Sequence, residues 1–99
     1  MKLFNSIDEK LEKLGFKIVS DDIHHTQYKR IDKKYKFCHI VYLAHKKHLN
    51  SFVLQSYDKD LFDEKKIGNT CVALSTEELK LFIKKMKWKE KEYRRWRMW

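Results

Sequence analysis

Ninety-nine residues leave room for one domain with a modest core, and the chain holds only two glycines, two cysteines and no proline. With 42% hydrophobic and 37% charged residues it is globular in composition but very polar, at a mean hydropathy of -0.74. Its net charge of +9 favours an anionic partner, two cysteines are too few for a secreted disulfide framework, and no apolar run is long enough to span a membrane. A reduced cytoplasm is the expected compartment.

Leu3, Phe4, Ile7, Leu11 and Leu14 fall on one helical stripe. Ser6-Ile-Asp-Glu9 has the pattern of a capping box, which offers Ile7 as an alternative start to Lys2, and Gly15 suits the helix end. The start reads as mature protein, with acids inside its apolar pattern and no signal-type core.

Period-two segments follow: Phe16–Ser20, Thr26–Ile31, Tyr35–Ala44 and Ser51–Tyr57, separated by Asp21-Asp22, Lys33-Lys34 and His45–His48. In the third, Tyr35, Phe37, His39, Val41 and Leu43 share one face, and Cys38, Ile40, Tyr42 and Ala44 the other. That pattern predicts a central strand buried on both sides. A charged loop around Asp60–Lys66 and a turn at Gly68-Asn69 lead to a last short strand, Thr70–Leu74. Ser75-Thr-Glu-Glu78 then opens a second helix with a capping box. The expected fold is α+β: an N-terminal helix, an antiparallel meander of four to five strands and a long C-terminal helix, with both helices on one sheet face. Residues 1–99 form a single domain, with 88–99 as a basic, Trp-rich extension of the last helix.

The layout, with "IDEKLEKLGF" before the strands and "STEELKLFIKKMK" after them, resembles the small uncharacterised proteins that phages and prophages of low-GC Gram-positive bacteria encode. The resemblance implies an accessory protein of a mobile element, acting in the host cell cytosol. It brings no catalytic residues with it.

Metal and nucleophile chemistry find little support. His24-His25 and His45-x-x-His48 lie in or beside turns and lack zinc-site spacing, so no metal ligand is assigned. His39 is read as a hydrogen-bonded, semi-buried residue. Cys38 and His39 point to opposite strand faces and cannot pair, and Cys71 precedes the last helix; both cysteines are read as small core residues. Asp58, Asp60, Asp63 and Glu64 are interleaved with lysines, which argues for a solvated loop. Two glycines cannot build a phosphate-cradling loop. No enzyme activity and no cofactor are expected.

The C-terminal helix carries the functional signal. Residues 75–99 hold nine basic and four acidic side chains, three of the four arginines and all three tryptophans. At helical spacing Leu79, Phe82, Ile83, Met86 and Tyr93 form the expected core stripe. Lys80, Lys84, Lys87, Lys91 and Arg94 form a continuous basic rail. Leu81, Trp88 and Trp99 point away from the core stripe, and Trp96 lies between. Tryptophans beside arginines complete a core, anchor a protein interface or homodimer, stack on unpaired bases, or sit at a membrane surface; Glu90 and Glu92 disfavour the last. A line of cations suits a phosphate backbone better than a protein. The chain is therefore expected to be a non-enzymatic binding protein that contacts nucleic acid or a nucleoprotein complex through this helix. Lys80, Lys84, Lys87, Lys91 and Arg94 would pair with phosphates, and Trp88, Trp96, Trp99, Arg95 and Arg97 would stack or anchor. The alternatives are an inhibitor or modulator of a host protein, in the manner of an anti-CRISPR, and a homodimeric structural domain.

Overall fold

A computed structural model describes residues 2–63 and 70–98 of the chain, the side chains of residues 2–5 excepted. The element order is α1 (Lys2–Lys13), β1 (Lys17–Asp21), β2 (His25–Ile31), β3 (Cys38–Lys46), β4 (Ser51–Asp58), α2 (Lys59–Asp63) and α3 (Thr76–Arg97). It is an α+β layout: the four strands form one antiparallel meander in the order β1-β2-β3-β4, between an N-terminal helix and a long C-terminal one.

α1 begins at Lys2, so Ser6 lies inside the helix and does not cap it. The helix ends where Gly15 takes a positive φ of 98° and its amide bonds to Glu12 O at 2.9 Å. A side chain at Gly15 would also crowd Arg30 Cδ at 3.1 Å. Two of the turns are closed by aspartates. Asp22 Oδ1 accepts the amides of His24 and His25, and Asp32 Oδ1 accepts those of Lys34 and Tyr35.

The strands alternate as period two requires. Thr26, Tyr28 and Arg30 of β2, and His39, Val41, Leu43 and His45 of β3, face the long helices. Ile7, Leu11, Phe16, Tyr28, Val41, Leu43, Leu81 and Phe82 make the core there, with the Phe16 and Tyr28 rings edge-on to Phe82 at 5.1 and 5.2 Å. The second sheet face carries Ile40, Tyr42 and Ala44. The expectation that β3 is buried on both sides holds at Ile40 and Ala44, whereas Tyr42 is only half-buried. α2 lies against β3 and β4 and sets Phe62 5.0 Å from Tyr57, the register partner of Ile40.

Four expectations are corrected. The segment at 70–74 makes no full strand: Cys71 forms an isolated bridge to Tyr57, flanked by Asp58 N–Thr70 O and Val72 N–Ser56 O bonds of 2.8 and 3.0 Å. Cys71 is exposed, not a core residue, because this short stretch runs along the margin of β4. The start of the charged loop winds into α2, whose Lys59 pairs with Asp63; positions 64–69, with the Gly68-Asn69 turn, lie outside the described residues.

The fourth correction concerns the rotation of α3. Its buried residues are Glu78, Leu81, Phe82, Lys85 and Lys89, while Leu79 and Ile83, expected in the core, are 42% and 38% exposed. Leu81, expected opposite the core, is 7% exposed. The helix is turned by roughly a quarter of a revolution from the most apolar stripe. Two buried lysines explain why. Lys85 Nζ reaches both carboxylate oxygens of Asp8 at 3.2 and 3.0 Å, and Tyr28 donates to the same carboxylate at 2.8 Å. Lys89 Nζ donates to Asp21 Oδ1 at 3.1 Å and to the Asp22 carbonyl at 2.7 Å, and Thr26 Oγ1 donates to the same Asp21 oxygen. Acids on α1 and at the end of β1 thus make an otherwise prohibitive burial of charge possible.

Candidate nucleic-acid interface

α3 starts from a complete capping box: Glu78 N donates to Ser75 Oγ, and Ser75 N donates to Glu78 Oε1 at 2.8 Å. The Glu78 carboxylate also receives Arg30 Nη1 at 2.5 Å. Twenty-two residues then run for about 33 Å, so the helix forms a straight edge along one side of the domain.

The outward side of α3 is the basic rail. Lys80, Lys84, Lys87, Lys91 and Arg94 are all exposed, and none is in an ion pair with another described residue. Glu77 is exposed in the first turn, before the rail begins, and the other acids of the helix are turned elsewhere. Glu78 is buried against Arg30, and Glu90 accepts Ser51 Oγ and the Phe52 amide at 2.8 and 3.1 Å. Glu92 pairs with Arg95 at 3.3 Å. The cations are therefore sorted: the two that face inward are neutralised by Asp8 and Asp21, and the five that face outward are left to solvent. Successive rail residues stand three or four positions apart, about 5 Å along the axis.

The tryptophans do not share this side. Trp88 is half-buried on the helix flank, with Lys85 Nζ 5.5 Å from its ring centroid. Trp96 lies on the inward side, edge-on to His24 at 5.1 Å and 5.6 Å from Tyr93, and retains 49% exposure. Tyr93 continues the cluster by stacking on His45 at 3.9 Å, and His45 meets Phe52 edge-on. Arg97 reaches the Asn50 side chain at 3.3 Å. The end of α3 is thus fastened to the β3–β4 turn and to the β1–β2 turn. Trp99 lies outside the described residues.

Beneath the N-terminus of α3 sits a polar chain that resembles a nucleophile site and is wired the wrong way. His39, 1% exposed, has Nδ1 3.2 Å from Arg30 Nη2 and Nε2 2.7 Å from Ser56 Oγ. A guanidinium can only donate, so Nδ1 accepts and Nε2 carries the proton. Nε2–H then donates to Ser56, whose hydroxyl donates to Val72 O at 2.7 Å. Burial, then the Arg30 charge, pull the His39 pKa below its ordinary value. A histidine that donates to the hydroxyl cannot take its proton, so Ser56 is not activated as a nucleophile. The sequence pattern marked His39 as semi-buried but gave no sign of Arg30 or Ser56. No cluster of three or more metal-ligating side chains occurs among the described residues, and no helix there is long and apolar enough to cross a membrane.

No family model, curated protein or solved structure matches this chain.

Proposed function

We propose that this protein is a non-enzymatic nucleic-acid-binding module, an accessory protein of phage or prophage type, that lays the outward side of α3 along a phosphate backbone. One observation carries the reading: five exposed cations in line with no acid among them, on a helix whose remaining lysines are paired inside. Codon usage can scatter lysines, but it does not sort them in this way. Like charges three and four residues apart also cost a helix stability, roughly 0.2–0.5 kcal/mol per pair, and an anionic partner would relieve that cost. The rail has no aromatic side chain on it, so it suits contact with the backbone and not base readout. Trp96 serves chiefly to hold the end of the helix to the domain.

The test is anisotropy of labelled duplex and single-stranded oligonucleotides across a salt series. Five phosphate contacts correspond to a slope in log affinity against log salt of about -4.5 on duplex. The variant Lys84→Gln/Lys87→Gln/Lys91→Gln should lower that slope by nearly three, in line with about 0.9 per contact. An unaltered slope, or no binding at low salt, would remove the nucleic-acid assignment and direct the search to a protein partner.

A further inference from the structure

We propose that the sheet face turned away from α1 and α3 is a second site, which stacks and hydrogen-bonds unpaired bases of a single-stranded nucleic acid. The proposal rests on the nucleic-acid reading for the class of polymer, and on the sheet's own geometry for the site.

Register places the relevant side chains in rows. Ser20, Gln27, Tyr42 and Gln55 are direct cross-strand partners on β1, β2, β3 and β4, and Lys17, Lys29, Ile40 and Tyr57 form the neighbouring row. Residues opposite one another in antiparallel strands project from the same face about 5 Å apart. Tyr42 on β3 therefore stands between two primary amides, Gln27 on β2 and Gln55 on β4. An amide offers both a donor and an acceptor, which suits the edge of a base, while the phenol ring offers its face.

The surroundings support that occupant. Tyr42 and Gln27 are half-buried, which holds them in place, and Gln55 is exposed. With Tyr57, Phe62 and Cys71 these three line a depression of about 510 Å³, and Phe62 is 59% exposed beside Tyr57. The strands give this face charge of one sign, while α2, packed on the same face, brings Asp63 near Tyr57 in a pair with Lys59. The positions that register assigns to it include Lys17, Lys29 and Lys46 and no aspartate or glutamate. Lys17 and Lys29 also line a groove of about 880 Å³ at the β1–β2 margin, with Lys13, Arg30 and Lys33 and a single acid, Asp32. A strand with its bases over Tyr42 and Tyr57 would have cations for its phosphates on the β1–β2 side. A second copy of the chain would bring the lysines of the strands against themselves, which favours an anionic polymer as the occupant.

The two sites lie on opposite sides of the domain, whose shortest dimension is 22 Å. Three stacked nucleotides advance only about 10 Å, so a trinucleotide can report on the sheet face without α3. The experiment titrates the full chain with single-stranded trinucleotides and follows side-chain amide and aromatic NMR signals. The Gln27 and Gln55 side-chain amides and the Tyr42 ring should shift, and still do so in Lys84→Gln/Lys87→Gln/Lys91→Gln. Tyr42→Ala should weaken binding at least about fivefold, the low end for one stacked base, while Tyr42→Phe stays within about twofold. Gln55→Glu, at an exposed position that leaves the fold alone, should weaken it severalfold by repelling phosphate. Shifts confined to α3, no shift at all, or unchanged binding by both Tyr42→Ala and Gln55→Glu would overturn the proposal. If the duplex salt slope vanishes while these sheet signals move, α3 is the site that fails and the sheet is the one that remains.

Discussion

Lys85 and Asp8 meet across the interface between α3 and α1, with Lys85 Nζ 3.0 Å from Asp8 Oδ2 and the lysine side chain wholly buried. Burial pulls the ammonium below the ordinary lysine pKa, and Asp8 works against that pull. The same carboxylate accepts the Tyr28 hydroxyl, so a single acid holds α1, β2 and α3 together.

Removing one partner should be far worse than removing both. Asp8→Ala leaves Lys85 as an uncompensated buried charge and should cost about 3–5 kcal/mol in urea denaturation. The pair Asp8→Leu/Lys85→Leu should recover most of that loss. A double variant as unstable as Asp8→Ala would mean that the ion pair is itself a large net source of stability.

The Arg30–Glu78–His39 network should make the fold acid-sensitive. His39 has a folded pKa below its unfolded one, so its contribution is intact above about 6.5, the unfolded value, and declines as pH falls below it. Glu78 behaves in the same direction at lower pH. Burial would raise its pKa, but the Ser75 amide and Arg30 more than offset that and hold it below the ordinary value. Its contribution is present above the unfolded pKa and is lost as pH falls through the lower, folded one. Urea titrations from pH 7 to 5 should show falling stability, and His39→Gln should flatten the upper part of that fall.

The rail should be a stability cost at low salt. Lys84→Gln/Lys87→Gln/Lys91→Gln relieves several like-charge neighbours and should leave the free protein as stable as the parent or up to about 1 kcal/mol more so. Added salt should erase the difference. Destabilisation of the free protein would reveal rail contacts with the domain that the present geometry does not contain.

At the other end of α3, Trp96→Ala removes the contacts to His24 and Tyr93. Amide exchange at residues 93–98 should quicken, while protection around Phe82 and Leu43 stays unchanged. Uniform loss of protection would make the aromatic cluster part of the global fold instead of a local clasp.

The fold was legible because each element carried a local signal: the β2 and β3 alternation, Gly15, and the Ser75–Glu78 box. The rotation of α3 was not. An apolar stripe of Leu79, Ile83 and Met86 outweighs Lys85 and Lys89 in any pattern read along one helix. The acids that draw those lysines inward lie 77 and 68 positions away. The rail was legible as a set of positions, and its separation from Trp88 and Trp96 became visible only once the true inward side was known. The platform at Tyr42 was hidden for a related reason, since a strand apolar on both faces reads as buried throughout.

The short bridge beside β4 has one further consequence. Along β4 every second residue from Phe52 to Asp58 turns its backbone outward, and Glu90, Val72 and Thr70 occupy groups at Phe52, Ser56 and Asp58. β1 has a strand neighbour on one side only. The β1 margin has no such cover among the described residues, so it is the easier place for the sheet to zip to a copy of itself. Association of the native fold through its strands should therefore favour a β1-to-β1 pair over a fibre.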